Sequence, residues 1–340
     1  MKKLFKIRIV AIFTLVSLIF ACTIFQASAE EIVMPNETID AVSDAQYIQV
    51  PSTINNAMYV GKSVETGTLN YFNVNVIGER ATTYSNGVIE RSAPAYFPPE
   101  LIQEQIENET ATTFGIIGND SRQRVTVSNS LPYSAIARIK INWPDDEITY
   151  GTAWMFYGDI AITAGHCVYD TEKHVWAESI EVWVGMNGTV SSARAVGYSR
   201  TLYTSNLWIS SGQVKDDWGV IELTEDIASS TGYLGLYYST ADMSGRSIEI
   251  SGYPYDHPGW QYTASDTIDY CEEAALFYMV DAVGCQSGSP ILIDGTNKAA
   301  GIHGTGYYYT DPETDERIYT RNGGARMTPS LFDYLMSFRD

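Results

Sequence analysis

Basic residues are scarce in this chain. Its 21 lysines and arginines face 41 aspartates and glutamates, a net charge of −20 over 340 residues. That balance argues against nucleic acid or an anionic membrane as a partner, since both call for a basic face. Cysteine and histidine are equally thin, at four each. No His/Cys/Asp group has metal-ligand spacing, so neither a metal nor another cofactor is expected. Beyond the N-terminus no run is long and apolar enough to span a bilayer. Repeats of 20–50 residues and low-complexity tracts are missing, which excludes solenoids and arrays.

What is present begins with a leader. Lys2, Lys3, Lys6 and Arg8 precede an apolar run from Ile9 to Ala21, and Ala27-Ser28-Ala29 offers small residues to a signal peptidase. Residues 1–29 read as a secretory signal cleaved before Glu30, so the protein is expected outside the cell and free of the membrane after cleavage. The competing reading, acylation at Cys22, is opposed by Phe20, too large for the small-residue box of a lipoprotein signal. Cleavage leaves Cys167, Cys271 and Cys285, enough for one disulfide and a spare thiol. Residues 30–114 hold 12 acidic and three basic residues and no Trp or Cys. Leu101, Ile102 and Ile106 have helix-like spacing there. The segment reads either as a solvated N-terminal domain or linker, or as a propeptide; the propeptide is the reading adopted.

From about Gly115 the texture becomes short apolar strands between turn signals. Ala135–Ile141, Ile180–Val184 and Ser247–Ile250 alternate, and Gly219–Leu223, Ala275–Asp281 and Ser289–Ile293 read as further strands. Many short strands with glycine and aromatics indicate an all-β sandwich or barrel. One helix is expected at the end, capped by Thr328 and opened by Pro329, with Leu331, Tyr334, Leu335 and Phe338 as its apolar stripe.

Three short runs carry chemistry. Gly284-Cys285-Gln286-Ser287-Gly288-Ser289-Pro290 surrounds a serine with small residues, which an attacking hydroxyl needs if substrate backbone is to come close. His166, in Thr163-Ala164-Gly165-His166-Cys167, follows an apolar strand that a loop can end on. Asp217 leads into Gly219–Leu223, so its side chain can be buried and aimed, whereas neighbouring Asp216 is better placed for solvent. The order His, Asp, Ser is one of several in which a Ser-His-Asp triad occurs.

The stretch from about Gly115 to the C-terminus, which carries these runs, resembles the secreted bacterial glutamyl endopeptidases, serine proteases of the chymotrypsin fold. Gly118–Val125 resembles their mature N-terminus. Thr163–Asp170, Asp217–Leu223, Ile250–Pro254 and Gln286–Pro290 match their other motifs in order. The resemblance implies two six-stranded antiparallel β-barrels, roughly residues 115–228 and 229–327, followed by the C-terminal helix. It implies a base in His166, an orienting acid in Asp217 and a nucleophile in Ser287. It also implies that the backbone N–H groups of Cys285 and Ser287 form the oxyanion hole, and that His303 meets the acidic side chain of the substrate.

Two departures from the family pattern stand out. Ala282 replaces a hydroxyl residue in the pocket, a loss of about 1.5–3 kcal/mol of substrate binding if nothing substitutes for it. Cys285 replaces a glycine; if the turn needs positive φ there, a side chain costs of order 1–3 kcal/mol. A third concerns the family's disulfide from the cysteine beside the histidine, whose partner position falls near Gly151. The resemblance therefore suggests a Cys167–Cys285 bridge instead. Cys271 is the rival partner, but the strand read from Ala275 would hold it roughly 20 Å from Cys285.

The expectation is a secreted serine endopeptidase, made as a zymogen, monomeric, acting on protein or peptide substrates and cutting after Glu or Asp. The alternatives are a serine protease of other specificity and a catalytically impaired homologue that binds protein.

Overall fold

The computed structural model describes residues 59–72, 82–83, 89–96, 116–126, 129–312 and 317–339. The signal read at 1–29 and the helix-like spacing at 101–106 lie outside the described residues.

Alternation decides the first barrel. In Ile136–Asn142 the side chains of Ile139 and Ile141 are buried while Arg138, Lys140 and Asn142 are half-buried on the other face. Lys140 pairs across the sheet with Glu181 at 2.8 Å, in the register that sets them opposite. Six antiparallel strands run in the order Ser179–Val184, Ile136–Asn142, Ile148–Tyr157, Ile160–Thr163, Gly219–Leu223 and Ala195–Ser205. The last pairs back onto the first and closes the barrel. Ile160–Thr163 is buried along its whole length, as a strand flanked on both sides must be.

The second barrel repeats the plan with Pro290–Ile293, Ser247–Gly252, Tyr262–Cys271, Ala275–Tyr278, Arg317–Arg326 and Lys298–Thr310. It closes between the first and last of these. Ile248, Ile250, Ile268, Leu276, Tyr278 and Ile291 fill it. Two closed six-stranded antiparallel barrels are thus the observed fold, and each strand read from the sequence falls on a strand here. The helix Pro329–Met336 is also where the sequence placed it, with Thr328 Oγ1 accepting the Leu331 N–H at 3.2 Å. Among the described residues no helix is long and apolar enough to cross a membrane.

Strands from the acidic N-terminal region lengthen both sheets. Tyr59–Ser63 pairs with Ala195–Ser205 and carries Leu69–Phe72 on its far side. Ile89–Ala93 pairs with Gly235–Ser239, which runs parallel to Lys298–Thr310. The sequence reading set residues 30–114 apart from the barrels, because edge pairing is made by backbone and leaves little trace in side-chain pattern.

Ile221 is fully buried and Ile148 is 50% exposed, although both lie on strands of the first barrel. Ile221→Ala should cost about 2–5 kcal/mol in chemical denaturation, and Ile148→Ala less than about 0.5 kcal/mol.

Candidate active site

His166 sits in the short 3-10 turn Gly165–Cys167, immediately beyond the strand Ile160–Thr163. Asp217 ends a second 3-10 turn, Val214–Asp216, two residues before Gly219–Leu223. Those strands are antiparallel neighbours with Gly219 opposite Thr163, so pairing alone delivers the two residues to one end of the barrel. The Asp217 carboxylate, 3% exposed, grips His166 twice. Oδ1 accepts the His166 backbone N–H at 2.9 Å, and Oδ2 lies 2.8 Å from Nδ1. Burial opposes a charge on His166, but the carboxylate outweighs it and lifts the imidazole pKa well above the ordinary 6.5. Asp216, the competitor in sequence, is half-buried and, among the described residues, has no hydrogen bond to His166; burial raises its own pKa.

Ser287 reaches the same place from the second barrel. Its hydroxyl donates to the Gly304 carbonyl at 3.3 Å rather than to His166. Gly304 in turn lies against the carboxylate, since a Cβ there would be 2.8 Å from Asp217 Oδ2. The three sequence-predicted residues therefore converge, with the serine hydroxyl turned toward a backbone acceptor.

The turn holding Ser287 is fixed by groups that sequence reasoning missed. Gln286 folds its side chain back so that Oε1 accepts the Val283 N–H at 2.9 Å. Thr152, from the first barrel, binds the turn at two points: its N–H donates to the Ser287 carbonyl at 2.9 Å and its hydroxyl to the Cys285 carbonyl at 2.9 Å. The same hydroxyl accepts the Tyr253 N–H at 3.0 Å. Gly288, at φ +92°, packs so closely that a Cβ would come within 2.0 Å of the Thr152 carbonyl. A threonine in the middle of a strand carries no motif, which is why no signal pointed to it.

Cys285 has φ +69°, the conformation its family glycine position implied. Holding a cysteine there costs about 1–3 kcal/mol. Among the described residues neither the Cys285 nor the Ser287 N–H donates to a protein acceptor, so both donors of the expected oxyanion hole are unused. Burial pushes the Cys285 thiol pKa up, so the thiol keeps its proton.

The expected Cys167–Cys285 bridge is not made in this structure, where Cys167, Cys271 and Cys285 are all free thiols. Cys167 Sγ packs against Gly151, 3.0 Å from where a Cβ there would stand, and lies 3.9 Å from the Ser287 carbonyl. Cys271 lies apart, accepting the Met243 N–H at 3.3 Å.

His303, 4% exposed, lies on Lys298–Thr310 and flanks the serine turn. Its N–H donates to the Ser289 carbonyl at 2.9 Å, and its carbonyl accepts from Gly288 N–H at 2.7 Å. Nδ1 is 2.7 Å from the Tyr278 hydroxyl. Burial, assisted by the neighbouring His166, lowers its pKa to about 4. Burial also holds the Tyr278 hydroxyl far above its ordinary pKa, so it keeps a proton to donate. In the tautomer where that hydroxyl donates to Nδ1, the imidazole proton sits on Nε2. Ala282 is buried and adds no polar atom. Its neighbour Asp281 accepts the N–H groups of Ile117 and Ser121 at 2.7 and 2.9 Å, tying the segment from residue 116 to the turn.

Comparison with known proteins agrees with this geometry. The profile of the trypsin family matches residues 123–322. The chain is 34% identical over 233 residues to a glutamyl endopeptidase of Bacillus licheniformis, covering 66% of this chain and 69% of the relative. It is also 34% identical over 236 residues to a Bacillus subtilis protein named an extracellular metalloprotease, covering 66% and 70%. A solved Glu endopeptidase superposes with TM-score 0.57 and 25% identity, over 66% of this chain and 99% of that one. The protease Anisep from Arthrobacter nicotinovorans, at TM-score 0.52 and 16% identity over 64% and 100%, shares the fold. With two closed barrels and a family match across most of both, the chain belongs to the trypsin family of chymotrypsin-fold serine endopeptidases.

Proposed function

We propose that this endopeptidase cleaves peptide bonds on the carboxyl side of glutamate, through His166, Asp217 and Ser287. The observation carrying the first half is the double grip of Asp217 on His166. With Nδ1–H donated to the carboxylate, Nε2 is left as the base. The Ser287 hydroxyl swings from the Gly304 carbonyl to Nε2 and gives up its proton while Oγ attacks the scissile carbonyl. The developing oxyanion is received by the N–H groups of Cys285 and Ser287. His166 then passes the proton to the leaving amine, and water repeats the sequence to hydrolyse the acyl-enzyme.

The observation carrying the second half is His303. A neutral imidazole with its Nε2–H outward donates to a carboxylate without first carrying charge, and a bound carboxylate then raises its pKa from about 4. Ala282 supports the alternative of another specificity, because it removes a hydroxyl from the pocket. The strained Cys285 supports the reading of an impaired homologue. The signal at 1–29 and the acidic stretch 30–114 fit export as a zymogen cut near residue 115.

Peptides differing only in the residue before the scissile bond should be cut fastest after Glu, more slowly after Asp, and hardly after Phe or Lys. Preference for Phe or Lys would support other specificity. No turnover by the processed protein would support the impaired homologue. Ser287→Ala should abolish turnover with an unchanged melting temperature. Because His166 acts as a base only when neutral, kcat/KM should fall as pH drops through its pKa, with a midpoint above pH 6.5. Asp217→Asn should move that midpoint down and lower kcat by about 10³–10⁴. Tyr278→Phe should lower kcat/KM for Glu peptides by about 3–10-fold, the worth of one hydrogen bond, and leave a poor substrate such as a Phe peptide unchanged.

A further inference from the structure

The two N-terminal strand segments, 59–72 and 89–93, do more than lengthen sheets. Both lie before residue 123, where the trypsin-family match begins. Tyr59–Ser63 pairs residue by residue with Thr201–Ser205, and Ile89–Ala93 places four residues opposite Leu236–Ser239. Between them they enclose the C-terminal helix. The Tyr59 ring stacks on Tyr334 at 3.7 Å and lies 5.4 Å from Trp218, the residue after Asp217. Its hydroxyl donates to the Ser330 carbonyl at 3.1 Å. Arg91 forms an ion pair with Asp333, with both side chains under 10% exposed, and its guanidinium lies 4.6 Å from the Phe332 ring centroid. Tyr96 and Tyr233 exchange backbone hydrogen bonds of 3.0 and 2.9 Å.

Loss of this segment would open two strand edges, uncover Tyr334 and Phe332, and leave the Asp333 carboxylate buried without its cation. Among the described residues, none of the contacts made by 59–72 and 89–96 involves His166, Ser287 or His303. We propose that residues 59–72 and 89–96 form a strand-donating clamp that stays bound without a covalent link after the chain is cut between residues 97 and 115, holding the C-terminal helix against both barrels. The idea rests on the propeptide reading only for the natural occurrence of that cut.

The test uses the full chain as Ser287→Ala, which prevents self-digestion, with a site for a sequence-specific protease inserted between residues 109 and 110. After cutting, the two fragments should co-elute at a 1:1 ratio at micromolar concentration and melt in one transition. Arg91→Ala combined with Tyr59→Ala should weaken retention at least a hundredfold and lower the melting temperature by at least about 5 °C. If that variant fails to fold, the Ser287→Ala chain with the inserted site and unaltered Tyr59 and Arg91 is cut and stripped of its N-terminal fragment in mild denaturant. A peptide of residues 57–98 added back should restore the melting temperature, and one carrying both exchanges should not. Separate elution of the fragments with unaltered Tyr59 and Arg91, with unchanged melting of the barrels, would overturn the clamp. N-terminal sequencing of the naturally exported protein reads the propeptide question separately, since an uncut chain there refutes processing while the engineered cut still decides the clamp.

Discussion

The site depends on the joint, in the seam between the two barrels, at the turn that carries Ser287. Ser287 belongs to the second barrel and His166 and Asp217 to the first, so their geometry is only as good as the joint. Thr152 makes that joint, with its N–H on the Ser287 carbonyl, its hydroxyl on the Cys285 carbonyl, and its own carbonyl accepting from Thr163 Oγ1 at 2.8 Å. Gly288 leaves the space that allows the approach. Each bond is worth only about 1 kcal/mol net, yet all are buried and linked, so losing one leaves others unsatisfied. The same hydroxyl offers an account of how Cys285 is held at positive φ: its carbonyl is tied across the seam while its N–H stays open.

Two buried or half-buried histidines beside this seam are driven in opposite directions. The Asp217 carboxylate raises the pKa of His166, while burial beside a hydroxyl partner lowers that of His303 to about 4. Environments that push similar groups apart are how one fold assigns different tasks to them. In the proposed mechanism His166 exchanges protons with Ser287 and the leaving group, and His303 serves as a neutral donor to the substrate carboxylate.

Much of this was legible in the residues. Period-two alternation in Ile136–Asn142 and Ser247–Gly252, and the Thr328-Pro329 start of the last helix, carried the strands and helix directly. The double barrel and the role of His303 needed resemblance, because alternation says which side of a strand is buried but not how sheets close. Positive φ at Cys285 was anticipated from the glycine that the resemblance places at that position. Three features left no mark. Thr152 and Tyr278 look like ordinary strand residues until the fold brings them to the turn and to His303. The segments at 59–72 and 89–93 dock through backbone edges, with Tyr59 and Arg91 as isolated anchors in acidic surroundings. That Cys167 Sγ faces Gly151 was implied by the resemblance, which places the family's partner cysteine near there.

The central claim is that Ser287 is an activated nucleophile beside an open oxyanion hole and a glutamate pocket. Peptide mapping after reaction with a peptidyl phosphonate bearing glutamate next to the phosphorus tests it in one measurement. The account predicts a single adduct, on Ser287. An adduct on Cys285 or another residue, or an unmodified Ser287 peptide after prolonged reaction, would contradict it.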